Sequence, residues 1–468
     1  LKRSIILLYK IVLQGVSNNH EYEELIKLFL RPDEYEICGA GDASDADFVF
    51  VDQGDKNIVK SEIYDELTQL TGIRPVWGIL TGIRPVKLAG ELVRDAERHY
   101  ERDAYAAARR KMVSYYRTSG EKADLALDMY RLQQETFGVP PDKTVGVYID
   151  IPFCPTRCLY CSFASNQTDY SETLRYMEAL YREMNFVADG MKEKGWSAES
   201  IYIGGGTPST LEAADFRKFL LKVKDMFGGP QLAEFTVEMG RPDTITAEKL
   251  EAVKEAGAQR ISINPQTMKD ETLELIGRKH DSTAVREAFA EAQNAGIRVI
   301  NADLIAGLPL ETAEDFDNTL KEVRQLGPQN ITVHSLSVKR ASKLVEIDKD
   351  FHYKQAGLVT EMLEQARSYL AGCGYRPYYL YRQKHMSGAQ ENTGYALPGT
   401  EGLYNVRIMD ETQTIIAMGA SGMTKVYFPE ENRLERVPNV SNYEIYIERI
   451  DEMINRKKEG LFNAYERT

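Results

Sequence analysis

Between Lys143 and Lys339 the apolar and polar positions fall into a repeated order of strand, loop and helix. Short β-branched runs stand at VGVYIDI, SIYIGG, EFTVEM, RISIN, RVINADLI and NITVHSLSV, separated by helical segments such as SETLRYMEALYREMNFVADGMKEKG and AEDFDNTLKEVRQLG. Six strands alternating with helices predict an α/β fold with a parallel sheet. Its natural closure is a curl into a partial (β/α)6 barrel, with chemistry on the loops at the strands' C-terminal ends. The runs read as apolar on both faces, as in strands covered by helices.

Patterning changes on either side. Residues 1–143 predict an N-terminal α/β domain of unknown role: a buried strand from Ser4 to Leu13, an acidic middle (GDASDADFVFVDQGD), and a charged helical run, ELVRDAERHYERDAYAAARRKMVSYY. TGIRP occurs at Thr71 to Pro75 and again at Thr81 to Pro85, which is too few copies for a repeat architecture and fits two tight turns. Residues 341–468 give a long amphipathic helix from Gln355 to Leu370, a stretch rich in Tyr, Gly and Asn, and a charged helical tail from Tyr443 to Lys458. They predict a C-terminal α+β domain that covers the substrate, leaving 144–340 as the barrel.

The length of 468 residues suits two or three domains, and 43% apolar with 28% charged residues is ordinary for a globular chain. A net charge of −13 argues against broad nucleic-acid binding. An anionic substrate would need basic groups gathered locally. No run reaches the roughly 18 apolar residues of a membrane span. The opening LKRSIILLYKIVL has basic residues before an apolar stretch, but Lys10 interrupts it and no small-residue cleavage site follows, so a strand is the better reading than a signal peptide. No membrane partner is expected.

Five cysteines do not make a disulfide framework in a chain of this size, and a reducing, cytoplasmic compartment is expected. Three of them, Cys154, Cys158 and Cys161, stand at C-x3-C-x2-C directly after the first barrel strand. Three thiolates can hold three irons of a 4Fe-4S cluster. The fourth iron stays open to chelate the amino and carboxylate groups of S-adenosylmethionine, and an electron sent to the sulfonium yields a 5′-deoxyadenosyl radical. The alternatives are a zinc knuckle and three chance buried thiols. Zinc usually takes four ligands, and Cys38 and Cys373 are far off in sequence.

Further groups follow along the barrel. The second strand ends in GGGTPS, where Gly205 and Gly206 let backbone approach a ligand and Thr207 precedes Pro208 at a helix start. Its free amides suit the methionine end of the cofactor. Glu238, Gln266, Arg278 and Asp303 each fall near the C-terminal end of a later strand, so all four converge on the barrel mouth.

Together GVYIDIPFCPTRCLYCSF, GGGTPS, EFTVEMGRPD, RISINPQTM, GRKHD and NADLIAGLPLET resemble the oxygen-independent coproporphyrinogen III oxidase family of radical S-adenosylmethionine proteins. WGILTGIRPVKL and YYLYRQKHMSGAQENTGYALPG resemble its coproporphyrinogen dehydrogenase branch. The resemblance implies that Tyr148 and Tyr160 flank the cofactor, Tyr160 near the adenine. It also implies that Gly205, Gly206, Thr207, Glu238, Gln266, Arg278 and Asp303 contact one or two molecules of S-adenosylmethionine. The implied reaction is oxidative decarboxylation of coproporphyrinogen III propionates to vinyl groups, with an electron donor such as flavodoxin or ferredoxin. Such a tetrapyrrole carries four carboxylates, for which Lys339, Arg340, Arg382, Lys384 and Arg407 are the candidate partners, and the aromatic residues of YYLYRQK could stack on it. Asp150 stands where the family commonly has His, and Phe163 resembles the haem-chaperone branch. A haem chaperone, or another tetrapyrrole-binding radical SAM protein, is therefore the alternative function. Against the chaperone, ENTGYALPG offers no His where that branch carries a haem-binding one.

Overall fold

The computed structural model describes residues 8–16, 18–81, 84–161, 163, 165–337, 355–382 and 390–466. The chain forms two compact units: residues up to Leu132, with Arg382 and Gln390, and residues from Gln133 onward. Among the described residues no helix is long and apolar enough to cross a membrane.

The first unit holds three parallel strands, β1 (Tyr9–Gln14), β2 (Tyr35–Cys38) and β3 (Phe48–Val51), in the order β2-β1-β3. Ile11, Leu13, Tyr35 and Phe50 pack against Leu25 and Ile26 of the helix His20–Ile26 and Val59, Ile63 and Leu67 of the helix Lys56–Thr71. The two TGIRP copies do opposite jobs. In the first, Gly72 closes the helix Lys56–Thr71 in the left-handed region, and in the second Pro85 opens the helix Pro85–Arg98. The charged helical run from Glu91 falls on two helices, Pro85–Arg98 and Ala104–Ser114. Tyr100 takes a left-handed φ of 56°, and Asp103 caps the second helix by accepting from the Ala106 amide, so local capping overrides the continuous charge pattern.

The second unit is built on one sheet of 11 strands. Its parallel centre is β4 (Thr144–Ile151), β5 (Ser197–Gly205), β6 (Glu234–Glu238), β7 (Arg260–Ser262), β8 (Val299–Ala306) and β9 (Asn330–Ser335), side by side in chain order. These are the six strands expected from the β-branched runs. Beyond β9 lie the antiparallel β11 (Asn392–Ala396) and β10 (Arg376–Tyr381). On the other side β12 (Ile415–Met418) pairs parallel with β4 and is followed by β13 (Met423–Phe428) and β14 (Arg433–Pro438). Sequence patterning set boundaries near 143 and 340. The structure divides near 132, inside the helix Gly120–Phe137, and the strands after 340 continue the barrel's own sheet.

One face of the parallel strands is fully apolar: Val147, Ile149, Ile201, Ile203, Val237, Ile261, Ala302, Leu304, Ile331 and Val333 are buried with the inner stripes of helices such as Tyr170–Lys194, Ala213–Phe227 and Ala313–Gln325. The other face is not apolar, contrary to the sequence expectation. The alternate positions are Tyr148, Asp150, Tyr202, Glu238, Asn301, Asp303, Thr332 and His334. The sheet curls around this face. Tyr202 on β5 stacks at 4.4 Å on Tyr404 of the helix Leu403–Asp410, and Tyr379 on β10 lies 3.4 Å from the Thr332 hydroxyl on β9. The partial barrel therefore has a lumen lined by tyrosines and carboxyls.

Candidate functional site

The cysteine loop leaves β4 at Ile151 and is fastened at three places. Asn166 closes it by donating from its amide and side chain to the Pro152 carbonyl (2.9 and 3.0 Å) and accepting from the Cys154 amide (3.0 Å). The Thr156 hydroxyl donates to the Gly277 carbonyl (2.9 Å) and the Leu159 amide to that of Ile276 (2.9 Å). The Gly206 amide donates to Ile151 (2.8 Å) and the Thr207 amide to Phe153 (2.7 Å). A Cβ on Gly206 would lie 2.5 Å from the Phe153 oxygen, and one on Gly205, at φ 109°, would lie 2.2 Å from Asp150 Oδ1. GGGTPS is thus the rail along which the cysteine loop runs, and glycine is required for that approach.

Burial pushes the Cys154 thiol up to about 11, against the pull of the Thr207 hydroxyl 3.4 Å from its sulfur, and also raises Cys161. Cys158, the most buried of the three, faces two guanidiniums: Arg241 Nη1 is 3.9 Å from its sulfur, and Arg278 also reaches it. Among the described residues no three His, Cys, Asp or Glu side chains converge as ligands of one metal ion. In a cubane each cysteine binds a different iron, and three thiols on one loop can supply three of the four.

At or just beyond the C-terminal ends of the central strands, five buried polar atoms have no hydrogen-bond partner: Asp150 Oδ2, Asn264 Oδ1, Gln266 Oε1, Arg278 Nε and Arg241 Nη2. Native interiors leave few such atoms unmatched, so a concentration of them marks where a polar ligand fits. Gln266 holds a left-handed φ of 69°, fixed by its amide on the Asp303 carbonyl (2.9 Å) and its carbonyl on the Ile305 amide (3.0 Å). Burial, offset in part by the Tyr202 hydroxyl and reinforced by Asp303, lifts Glu238 to about 7. Asp150 is also raised well above the usual carboxyl range by burial, against a hydrogen bond from Tyr148 (3.2 Å). Asp303 goes the other way: despite burial, His334 at 3.6 Å and the Asn301 amide at 2.7 Å keep it low and ionised. Two carboxyls raised by burial, one carboxyl held low, free amide oxygens and a glycine rail are groups that suit a zwitterionic amino acid joined to a ribose and a base. The residues present fit a cluster with S-adenosylmethionine.

Tyr148, Tyr160, Gly205, Gly206, Thr207, Glu238, Gln266, Arg278 and Asp303 all fall on the inner face of β4 to β8 or on the loops at their C-terminal ends. Tyr160 accepts from Arg278 Nη2 (3.2 Å) and packs on Leu273, Ile276 and Leu308. The expected substrate cations fare differently. Arg407 is 1% exposed, forms a double hydrogen bond with Glu199 (2.9 and 3.1 Å) and donates to the Gly138 carbonyl. It is a structural ion pair near the N-terminal end of β5, about 20 Å of strand from the glycine rail. Arg382 belongs to the first unit, where it lies 5.9 Å over the Trp77 ring and donates to the Leu80 carbonyl. Lys339, Arg340 and Lys384 lie outside the described residues. Sequence reading missed Tyr202, Asn301, Thr332, His334, Tyr404, Arg241 and Asp243; a period of two along the strands would have exposed the lumen residues among them.

A parallel sheet curled around such a lumen, with three cysteines after its first central strand, defines a radical SAM protein. Residues 148–323 match the Radical SAM superfamily. The solved coproporphyrinogen III oxidase (HemN) from Escherichia coli shares the fold, with a TM-score of 0.53 at 21% identity over 69% of this chain and 73% of that one. The chain belongs to the family of oxygen-independent coproporphyrinogen-III oxidase-like proteins: it is 37% identical to HemZ of Bacillus subtilis over 88% of its length and 82% of that protein's. The heme chaperone HemW of Bacillus subtilis is 35% identical over 42% of this chain and 51% of its own length.

Proposed function

We propose that this protein oxidatively decarboxylates two propionates of coproporphyrinogen III to vinyl groups, giving protoporphyrinogen IX in anaerobic haem biosynthesis in the cytoplasm. The observation that supports it most is the tyrosine-lined lumen opening beside the cysteine loop, in a chain that matches an oxidase-like relative along most of its length. A cluster with one or two S-adenosylmethionine molecules supplies the hydrogen-atom acceptor, and a flavodoxin or ferredoxin supplies its electron. The remaining work belongs to this chain. Glu238, Asp303 and Gln266 hold polar groups of the cofactor, and the Gly205–Gly206 rail admits it close to backbone. Tyr379 and Tyr381 stack at 6.4 Å with planes 10° apart, and the Tyr381 hydroxyl lies 3.3 Å from His334 Nδ1, giving a flat aromatic wall with a polar edge. Such a wall suits a macrocycle. Each turnover removes a hydrogen atom from the propionate β-carbon, and loss of carbon dioxide and one electron to an acceptor leaves the vinyl group.

A second reading, haem chaperone, is favoured by the HemW relatives and by Phe163, which is exposed two positions after Cys161. Anaerobic incubation of the iron-loaded protein with coproporphyrinogen III, S-adenosylmethionine and a low-potential reductant separates the two. Vinyl products with 5′-deoxyadenosine support the oxidase. Tight one-to-one haem binding without vinyl formation would replace it with the chaperone.

A further inference from the structure

Arg241 faces Cys158 but has been given no role above; its side chain is 4% exposed and reaches into the cluster loop. It leaves the C-terminal end of β6 in the segment Gly240 to Asp243, and Pro242 opens the short turn that follows. Its guanidinium is fixed from three directions. Nε donates to Asp243 Oδ1 (3.2 Å), Nη1 donates to the Thr156 carbonyl (3.3 Å) within the cysteine loop, and Nη1 also points at Cys158 Sγ (3.9 Å). Nη2 is buried with no partner. Asp243 is itself held: burial opposes its charge, but His280, 3.6 Å away, and Arg241 together keep it below the usual carboxylate range. Arg278, the other guanidinium near Cys158, spends its Nη atoms on the Asn264 carbonyl and the Tyr160 hydroxyl. A buried, pre-aimed cation with a spare donor beside a thiol is the arrangement that stabilises negative charge on sulfur.

We propose that Arg241 is a positioning residue that sets the reduction potential of the cluster. This rests on the cluster reading of Cys154, Cys158 and Cys161. Reduction adds one negative charge to the cluster, and a fixed positive charge and N–H donor at a coordinating sulfur favour the reduced form, raising the potential. Thr156 and Asp243 keep the guanidinium in register, so charge and geometry act together.

The test is a potentiometric titration of anaerobically reconstituted protein, followed by electron paramagnetic resonance of the reduced cluster, after iron and sulfide have been measured. Arg241→Gln is expected to hold a full cluster whose reduced-to-oxidised ratio at the unmodified midpoint falls at least tenfold, a downward shift of 59 mV or more for a one-electron couple. Arg241→Lys keeps the charge but loses the fork and falls between the two. Lys254→Gln, which removes an exposed cation paired with Glu251, leaves the midpoint in place. A full cluster with an unmoved midpoint in Arg241→Gln overturns the proposal. If Arg241→Gln takes up no iron, retention by Arg241→Lys supports a role for the charge, and loss in both variants overturns it. Absence of iron from the unmodified protein defeats the cluster reading itself, and this inference falls with it.

Discussion

Gly206 carries the least yielding steric condition in the site, because the atoms a Cβ would meet are the backbone of Phe153, 2.5 to 2.9 Å away, and not a side chain as at Gly205. Backbone adjacent to Cys154 and held by the Thr207 amide (2.7 Å) cannot yield cheaply. Gly206→Ala is therefore expected to destabilise the fold by about 1–3 kcal/mol and to cut iron incorporation, read by urea unfolding and by iron content. Glu311 offers a pH test away from the thiols. Burial lifts its carboxyl to about 7, against the Thr267 hydroxyl at 2.5 Å, and its Oε2 has no partner. An acid raised on folding binds its proton more tightly in the native state, so its contribution to stability is intact below pH about 4.5 and is lost as pH rises to about 7. The loss amounts to about 3 kcal/mol. Glu311→Gln should flatten that part of the stability profile in urea titrations between pH 4.5 and 8; a slope equal to that of the unmodified protein would show that Glu311 is not its source. The cysteines and glycines were legible because their chemistry is written in adjacent residues. Arg407 was misread because its partner Glu199 is 208 positions away, and nothing local distinguishes a buried ion pair from a substrate cation.

At the scale of elements, the six central strands could be read from their β-branched runs, whereas their inner face could not be read from apolar density alone. Tyr148 and Tyr202 count as hydrophobic, and in a curled sheet they line the lumen instead of packing under a helix. The helix Leu403–Asp410 shows how a distant residue builds the site. Glu234 on β6 accepts from the Leu403 and Tyr404 amides (2.7 and 3.1 Å) and faces Arg260 at 3.4 Å. It satisfies the helix's free N-terminal amides and so fixes Tyr404 against Tyr202. Glu234→Ala strands a buried guanidinium and removes that cap, with an expected cost of about 3–5 kcal/mol. A lowered urea midpoint with an unchanged slope would confirm this, and a loss below about 1 kcal/mol would mean the cap is dispensable.

Over the whole second unit, the barrel is completed by the end of the chain. Lys457 and Glu183 form a fully buried ion pair at 2.7 Å, and Glu183 also accepts from the Gly419 amide (2.8 Å) and the Tyr446 hydroxyl (2.6 Å). This joins the C-terminal helices to the long helix Tyr170–Lys194. A fragment of residues 133–340 would keep all six central strands but lose the neighbours of β4 and β9, exposing two sheet edges. It is expected to aggregate without a cooperative melt, while residues 133–468 melt as one transition in circular dichroism. A cooperative melt from the shorter piece would restore a domain boundary near 340.

The pairing of β12 with β4 sets Ile415 opposite Gly146. During synthesis the strand that feeds the cysteine loop must wait, one side bare, while some 270 further residues emerge, and contacts of such long range form slowly. Iron delivered to the nascent chain would meet a loop whose supporting strand is still unpaired on one side. The strand beneath the cysteine loop thus has both of its neighbours only once β12 has been made and paired.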